Sequence, residues 1–248
     1  MNDVVADADL YRRGSATLVA SWTAYADGAT GASLQRLPGV AAAVFPRDPE
    51  RSVYNNALLD RGLTGDQRAG AIPAMEAVYA AAGVARFAAW VHESDTDMRN
   101  DLERRGYAVE ETTRAMGMHL DDLRPVPAEI RFGPAHWSEY LTFEGLPPNF
   151  LPGADHAAFH VQVARIDGEI VAAALAYDFD GDCGIYNVGT AEHARRRGLG
   201  TALTMHQVHE GRKRGCTTAT LQSTPMAERV YAAAGFRDLG RILEYTRR

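Results

Sequence analysis

Lysine is almost missing from this chain. Lys213 is the only one among 26 basic residues, and the arginine excess reads as the mark of a GC-rich genome, not of a function. Cysteine is scarce too. Cys183 and Cys216 are too few for a disulfide framework, so a cytoplasmic protein is expected. No apolar run approaches the ~20 residues that cross a bilayer, so no membrane association is expected. The opening "MNDVVADADL" is acidic and lacks the basic-then-apolar order of a secretory signal. Positive charge is in deficit overall. A net charge of −6 does not suit a general nucleic-acid surface and modestly favours a cationic substrate.

What is present fits a globular α/β chain. Its 248 residues, 46% hydrophobic and 23% charged, can fill one large core or two small ones. Pro125 and Pro127 in "LDDLRPVPAEI" (Leu120–Ile130) bar both helix and sheet, so this stretch is expected to be a short stiff linker. It divides the chain into 1–124 and 125–248. In the second part, "FHVQVARIDG" and "EIVAAALAYDFDG" are strands that meet in a hairpin at Asp167-Gly168, and "CGIYNVGT" is a third strand. A helix is expected from Leu199 to about Arg214, with Gly215 as its cap. "TTATLQST" is a strand, "PMAERVYAAAGF" a helix with Pro225 at or near its first turn, and "RILEYTRR" a last strand. Together these predict a mixed sheet covered by helices.

The first part repeats this order. "VYNNALLDRG" parallels "IYNVGTAEH", "DQRAGAIPAMEAVYAAAG" is a helix, and "RFAAWVHE" a strand. "DTDMRNDLERRGY" parallels "PMAERVYAAAGF", and "ETTRAMGMHL" closes the set. Gly106 stands opposite Gly235 at an offset of 235 − 106 = 129. We read an internal duplication.

The chemistry gathers in "GTAEHARRRGLGTALTMHQ". Arg195, Arg196 and Arg197 crowd the start of a helix, where the dipole opposes each cation by roughly 0.3–1 kcal/mol. A multiply charged anion resolves that conflict; the alternative for three arginines alone is a solvated basic turn. Glycines at 198 and 200 let such an anion approach the unpaired amides of the helix start. The stretch has no Gly-Lys-Ser/Thr for a Walker loop, and lacks the three glycines and later acid of a Rossmann fingerprint. What remains is R-x-x-G-x-G, Arg195 to Gly200.

That hexad resembles the coenzyme A pyrophosphate loop of the GNAT N-acetyltransferase superfamily. "AERVYAAAGF", with its tyrosine four residues before Gly-Phe, resembles the family's later helix. The resemblance covers the second part well and reaches the first only as a degenerate repeat, as in tandem GNAT proteins. It implies an α/β fold of two GNAT-like halves, each a mixed twisted sheet flanked by helices. It also implies acetyl-CoA as co-substrate and direct acetyl transfer to a small-molecule primary amine in a ternary complex. Backbone groups of Val188, Gly189 and Thr190 would hold the pantetheine arm, and a splayed strand there would leave an N–H to polarise the thioester carbonyl. Arg195, Arg196, Arg197, Gly198, Leu199, Gly200 and Thr201 would hold the pyrophosphate. Tyr231 would protonate, or hydrogen-bond, the departing thiolate. Tyrosine at a pKa of about 10 is only ~1.5 units above a thiol, an uphill step of about 2 kcal/mol. Where the family often has asparagine, seven residues before this tyrosine, the chain has Thr224.

The third strand carries no carboxylate within "CGIYNVGT", so a general base must come from elsewhere. Glu144, Asp155 and His160 lie in the variable segment that lines the acceptor pocket in this family. Trp137, Tyr140, Phe143 and Phe150 form either an aromatic wall for the acceptor or part of the core. Histidine pairs 156/160 and 206/209 have helical metal spacing but no third ligand, so they read as surface histidines and no metal is expected. In the first half Tyr231 is replaced by Leu102, and the loop by "DQRAGA" with a repelling Asp66. No coenzyme binding is expected there. A non-catalytic acyl-CoA sensor or interaction module is the alternative, favoured by the missing strand carboxylate; an alcohol acceptor is another.

Overall fold

The computed structural model describes residues 2–48, 54–121, 123, 131–146 and 151–247. Along the first half run α1 (Asn2–Gly28), β1 (Ser33–Leu37), β2 (Val40–Val44), β3 (Asn56–Leu59), α2 (Gly65–Ala81), β4 (Ala88–His92), α3 (Thr96–Arg104) and β5 (Tyr107–His119). Then come β6 (Phe132–Pro134), α4 (Trp137–Phe143), β7 (Phe159–Ile166), β8 (Glu169–Phe179), β9 (Asp182–Thr190), α5 (Leu199–Lys213), β10 (Thr218–Ser223), α6 (Glu228–Ala234) and β11 (Arg237–Arg247). The expected linker largely lies outside the described residues, as do 124 and 125, where the chain was divided.

These elements gather into two compact units. The first takes Met1–Leu18, Ala115–Phe150 and Asp155–Leu239; the second takes Val19–Arg114, Leu151–Ala154 and Gly240–Arg248. Thus α1, β5 and β11 each begin in one unit and end in the other.

In the first unit the strand order is β5-β10-β9-β8-β7-β6. The β7–β8 hairpin turns at Asp167 (φ 52°) and Gly168 (φ 87°), both left-handed as a two-residue primed turn requires. α5 packs across β7, β8 and β9. It comes close because β8 presents alanines: Leu199 and Leu203 cluster with Ala172 and Ala174. At the strand ends a buried carboxylate, Asp182, accepts from the hydroxyls of Thr17 (2.8 Å), Thr218 (2.7 Å) and Thr220 (2.7 Å). Burial raises its pKa, and those three hydrogen bonds offset part of the rise. Thr17 belongs to α1, which was not foreseen from the sequence. That helix seats itself through small residues: a Cβ on Gly14 would lie 2.9 Å from Thr220.

In the second unit the order is β1-β2-β3-β4-β11, with only β3 and β4 parallel. Ile72, Met75 and Tyr79 of α2 fill its core with Val44, Leu59 and Val91. The element order β3-α2-β4-α3-β5 is the same as β9-α5-β10-α6-β11, and the first and third members of each set pair in parallel. α3 and α6 both end on a left-handed glycine, Gly106 (φ 85°) and Gly235 (φ 108°). α6 begins at Glu228, later than expected, because Pro225 to Ala227 form a turn.

Candidate active site

The site begins where two strands part. β9 and β10 pair in parallel from Thr218↔Asp182 to Leu221↔Ile185 and no further, although β9 runs on to Thr190. On its other side β9 bulges against β8: Ala173 faces Gly189 and Leu175 faces Tyr186, so Asn187 and Val188 together oppose Ala174. Asn187 adopts a left-handed φ of 50°, which asparagine tolerates better than most residues. The sequence reading of a splayed strand at Val188, Gly189 and Thr190 therefore has a counterpart in the pairing.

After β9 the chain makes a short turn and reaches the arginines. All three are exposed, and among the described residues neither Arg196 nor Arg197 has an ion-pair partner. Arg195 differs: its Nε donates to the Thr190 carbonyl (3.1 Å), bracing the loop against the end of β9. Gly198 caps α5 in the left-handed conformation (φ 73°) without a side-chain hydrogen bond. Ala202 N–H is the first amide accepted within the helix, by Gly198 O at 3.0 Å, so the amides of Leu199, Gly200 and Thr201 remain at its mouth. A Cβ on Gly200 would meet only Thr190 Oγ1, at 3.8 Å, and one on Gly198 would meet nothing within 4 Å. The protein's own packing therefore leaves room beside both glycines. A diphosphate fits this chemistry: guanidiniums and free amides, with no carboxylate paired to them.

Tyr231 lies on α6, buried at 8% exposure. Burial raises its pKa, and a hydrogen bond with the Thr204 hydroxyl offsets part of the rise. Thr204 itself donates to Gly200 O (2.9 Å). Thr224, at the end of β10, is exposed, and its carbonyl accepts from Ser223 Oγ (2.9 Å) and Ala227 N–H (3.0 Å).

A carboxylate approaches β9 from α4. Glu144 closes that helix, and its Oε1 lies 3.5 Å from where a Cβ on Gly189 would stand. This oxygen is buried and has no hydrogen-bond partner among the described residues. Burial alone raises the Glu144 pKa to about 7. Phe143 lies against the same glycine, 3.2 Å from the same notional Cβ, so a side chain at 189 would push α4 away. One turn earlier, the Tyr140 hydroxyl accepts from Asn187 Nδ2 at 2.9 Å. A carboxylate held half-neutral near pH 7 beside an open strand edge can take a proton from an incoming nucleophile.

A scan against family models matches residues 122–236 to the acetyltransferase (GNAT) family. Residues 122–236 are a GNAT domain. A comparison with curated proteins finds no match. Among solved structures, a GCN5-related N-acetyltransferase from Kribbella flavida superposes at TM-score 0.71 with 17% identity, covering 95% of both chains. One from Sphaerobacter thermophilus gives 0.64 and 19%, covering 84% of this chain and 76% of that one. A tandem GNAT protein from the clavulanic acid biosynthesis pathway gives 0.61 and 14%, covering 88% and 83%. At these identities the likenesses speak to the fold, and they extend it beyond the matched domain to most of the chain. The chain thus shares the mixed α/β fold of these proteins, its residues 122–236 match the GNAT acetyltransferase family, and that family works with acyl-CoA.

Of the three acids and bases considered from the sequence, the GNAT domain brings only Glu144 to β9. Asp155 is exposed and caps a single turn through Ala157 N–H (3.1 Å). His160 pairs with Ala176, three residues along β8 from the partner of Gly189, and is two strands removed from β9. It lies 3.6 Å from Asp178, which Arg214 grips at 2.5 Å near the far end of α5. Burial lowers its pKa, and Arg214 adds to this against Asp178.

The aromatic segment is partly core: Tyr140 is buried, Trp137 stacks on His156 (4.8 Å) and Phe159 (5.5 Å), and Phe150 lies outside the described residues. His206 packs on Phe132. Among the described residues no three His, Cys, Asp or Glu converge as a metal site would need, and no helix is long and apolar enough to cross a membrane.

The counterpart in the second unit is closed by its own side chains. α2 starts with a capping box, Thr64 Oγ1 accepting from Gln67 N–H (3.4 Å) while Gln67 Oε1 accepts from Thr64 N–H (2.8 Å). Asp66 stands in its first turn, and Arg68 pairs with Asp101 at 2.7 Å. Leu102, at the position of Tyr231, is fully buried in that unit's core.

Proposed function

We propose that this protein transfers an acetyl group from acetyl-CoA directly to the amine of a small molecule, in a ternary complex at one competent site in the GNAT domain. Acetyl-CoA supplies the activated acyl carbon as a thioester. Arg196, Arg197 and the amides of Gly198 to Thr201 bind its diphosphate, with Arg195 bracing the loop. The freed edge of β9 at Val188, Gly189 and Thr190 takes the pantetheine arm and directs an amide at the thioester carbonyl. Thr224, exposed just past the end of β10, is assigned a further contact with the cofactor.

Glu144 accepts the proton of the amine, directly or through water. This role carries the reading of catalytic transfer, because the observation behind it is a buried carboxylate oxygen beside Gly189 with no hydrogen-bond partner among the described residues. Tyr231 donates a hydrogen bond to the departing sulfur. Its raised pKa widens the gap to a thiol, which favours donation over full proton transfer. Holding both reactants on adjacent elements supplies much of the rate gain.

The rival of a non-catalytic acyl-CoA module drew its support from a strand without a carboxylate, and α4 supplies one. The N-terminal half, whose helix start is self-capped, is proposed as a degenerate repeat that binds no coenzyme and supports the other. Release of free thiol from acetyl-CoA over a panel of amines and matched alcohols tests the assignment. Release with amines alone supports it. Release with alcohols alone moves the acceptor to oxygen, and binding of acetyl-CoA with no release across the panel overturns catalysis.

A further inference from the structure

We infer that Tyr140 and Asn187 form a clamp that holds Glu144 at its working distance from the edge of β9, which makes both of them positioning residues for proton removal. The inference rests on the acceptor chemistry proposed above and adds what places its base.

α4 is only seven residues long, far below the length at which a helix holds itself in water, so its position is set by what it touches. Tyr140 is its buried anchor, at 2% exposure. The ring supplies the burial; the hydroxyl supplies direction. It accepts Asn187 Nδ2 at 2.9 Å, while the Tyr140 carbonyl accepts Glu144 N–H at 3.0 Å. Two hydrogen bonds thus run from the bulge of β9 through one residue to the backbone of Glu144. Positions 140 and 144 are four apart, so both side chains project from the same side of α4.

Asn187 is suited to its end of the clamp. It is one of the two residues that the bulge sets against Ala174, and its left-handed φ of 50° re-aims its side chain. Asparagine accepts that conformation and carries an amide donor of the right reach. The residue itself is exposed, so when the hydroxyl is removed water can satisfy its amide. Loss of the clamp should therefore cost little stability while letting Glu144 drift.

The test is a double-mutant cycle in the full chain, using Tyr140→Phe, Asn187→Gly and their combination, with Glu144→Gln as reference. Glycine keeps the left-handed backbone available at 187. Each single variant is expected to lose about tenfold in kcat, since displacements near 1 Å cost up to ~100-fold. Coenzyme A affinity should stay within about twofold and melting within a few degrees. The double variant should be no worse than about the poorer single, and Tyr140→Phe should add nothing in the Glu144→Gln background. Unchanged kcat in Tyr140→Phe, with Glu144→Gln impaired, overturns the clamp and leaves the base standing. So do two losses that multiply. An unimpaired Glu144→Gln enzyme overturns the base assignment and the purpose of the clamp with it.

Discussion

Replacing Glu144 by glutamine should separate activity from stability. The carboxyl is held at a pKa of about 7 by burial, with no charged neighbour contributing. At that value it is roughly nine-tenths ionised at pH 8 and one-tenth at pH 6. The ratio kcat/KM reports groups of the unliganded enzyme, to which this pKa belongs. It should therefore fall about tenfold from pH 8 to pH 6. Glutamine keeps the shape and cannot take a proton, so kcat/KM should drop by about 10² to 10³ and the acid limb should disappear. Stability moves the other way. The folded pKa lies above the unfolded value of about 4.3, so between these pH values the folded chain holds a proton that the unfolded chain has lost. Stability is lost as pH rises through that window, and the whole cost is present above pH 7. Discounted for the partial exposure of the group, it is on the order of 1 kcal/mol. Glu144→Gln should then melt about 2–4 °C higher at pH 8 and show no gain at pH 4. Thiol release against pH, with calorimetric melting at the same pH values, decides it. A full-rate variant with the acid limb intact would refute the reasoning.

Tyr231→Phe should lower kcat by about ten- to a hundredfold while acetyl-CoA affinity stays within about twofold, and unchanged turnover removes the phenol from the mechanism. Arg196→Glu with Arg197→Glu should weaken acetyl-CoA binding about a hundredfold by titration calorimetry, less so at high salt, whereas unchanged affinity would place the diphosphate elsewhere. Gly14→Val presses a side chain into Thr220 where even a Cβ would sit 2.9 Å away, and should cost about 1–3 kcal/mol, seen as a melting point several degrees lower.

The elements around the site were legible because their signals are local. Asp167-Gly168, Gly215, Gly235 and the arginine-glycine loop each fix a turn or a helix end through their own backbone chemistry. α1 gave no such signal. Its buried face mixes Leu10, Leu18 and Trp22 with Gly14, Thr17 and Ser21, small or polar residues that interrupt the hydrophobic periodicity, and Gly14 lets it lie close against Thr220. The sequence named Glu144, Asp155 and His160 as equals. What separates them is tertiary: a bulge that turns β9 toward α4, and an ion-pair cluster that occupies His160. No spacing rule carries either fact. Asparagine before Val188-Gly189 is a weak local sign of the bulge, and only the register against β8 reveals it.

The traded ends of β5 and β11 bear on how this protein comes to exist in a cell. A domain that emerges first from the ribosome ordinarily folds while the rest is still being made. Here the second unit, built mostly from the earlier residues, includes Gly240–Arg248, so its sheet gains β11 only after residues 115–239 have been made. Its unpaired β4 edge must wait through synthesis of the whole acyltransferase domain, and a gene cut at the proline-rich joint would yield two fragments, each missing a strand that the other carries away.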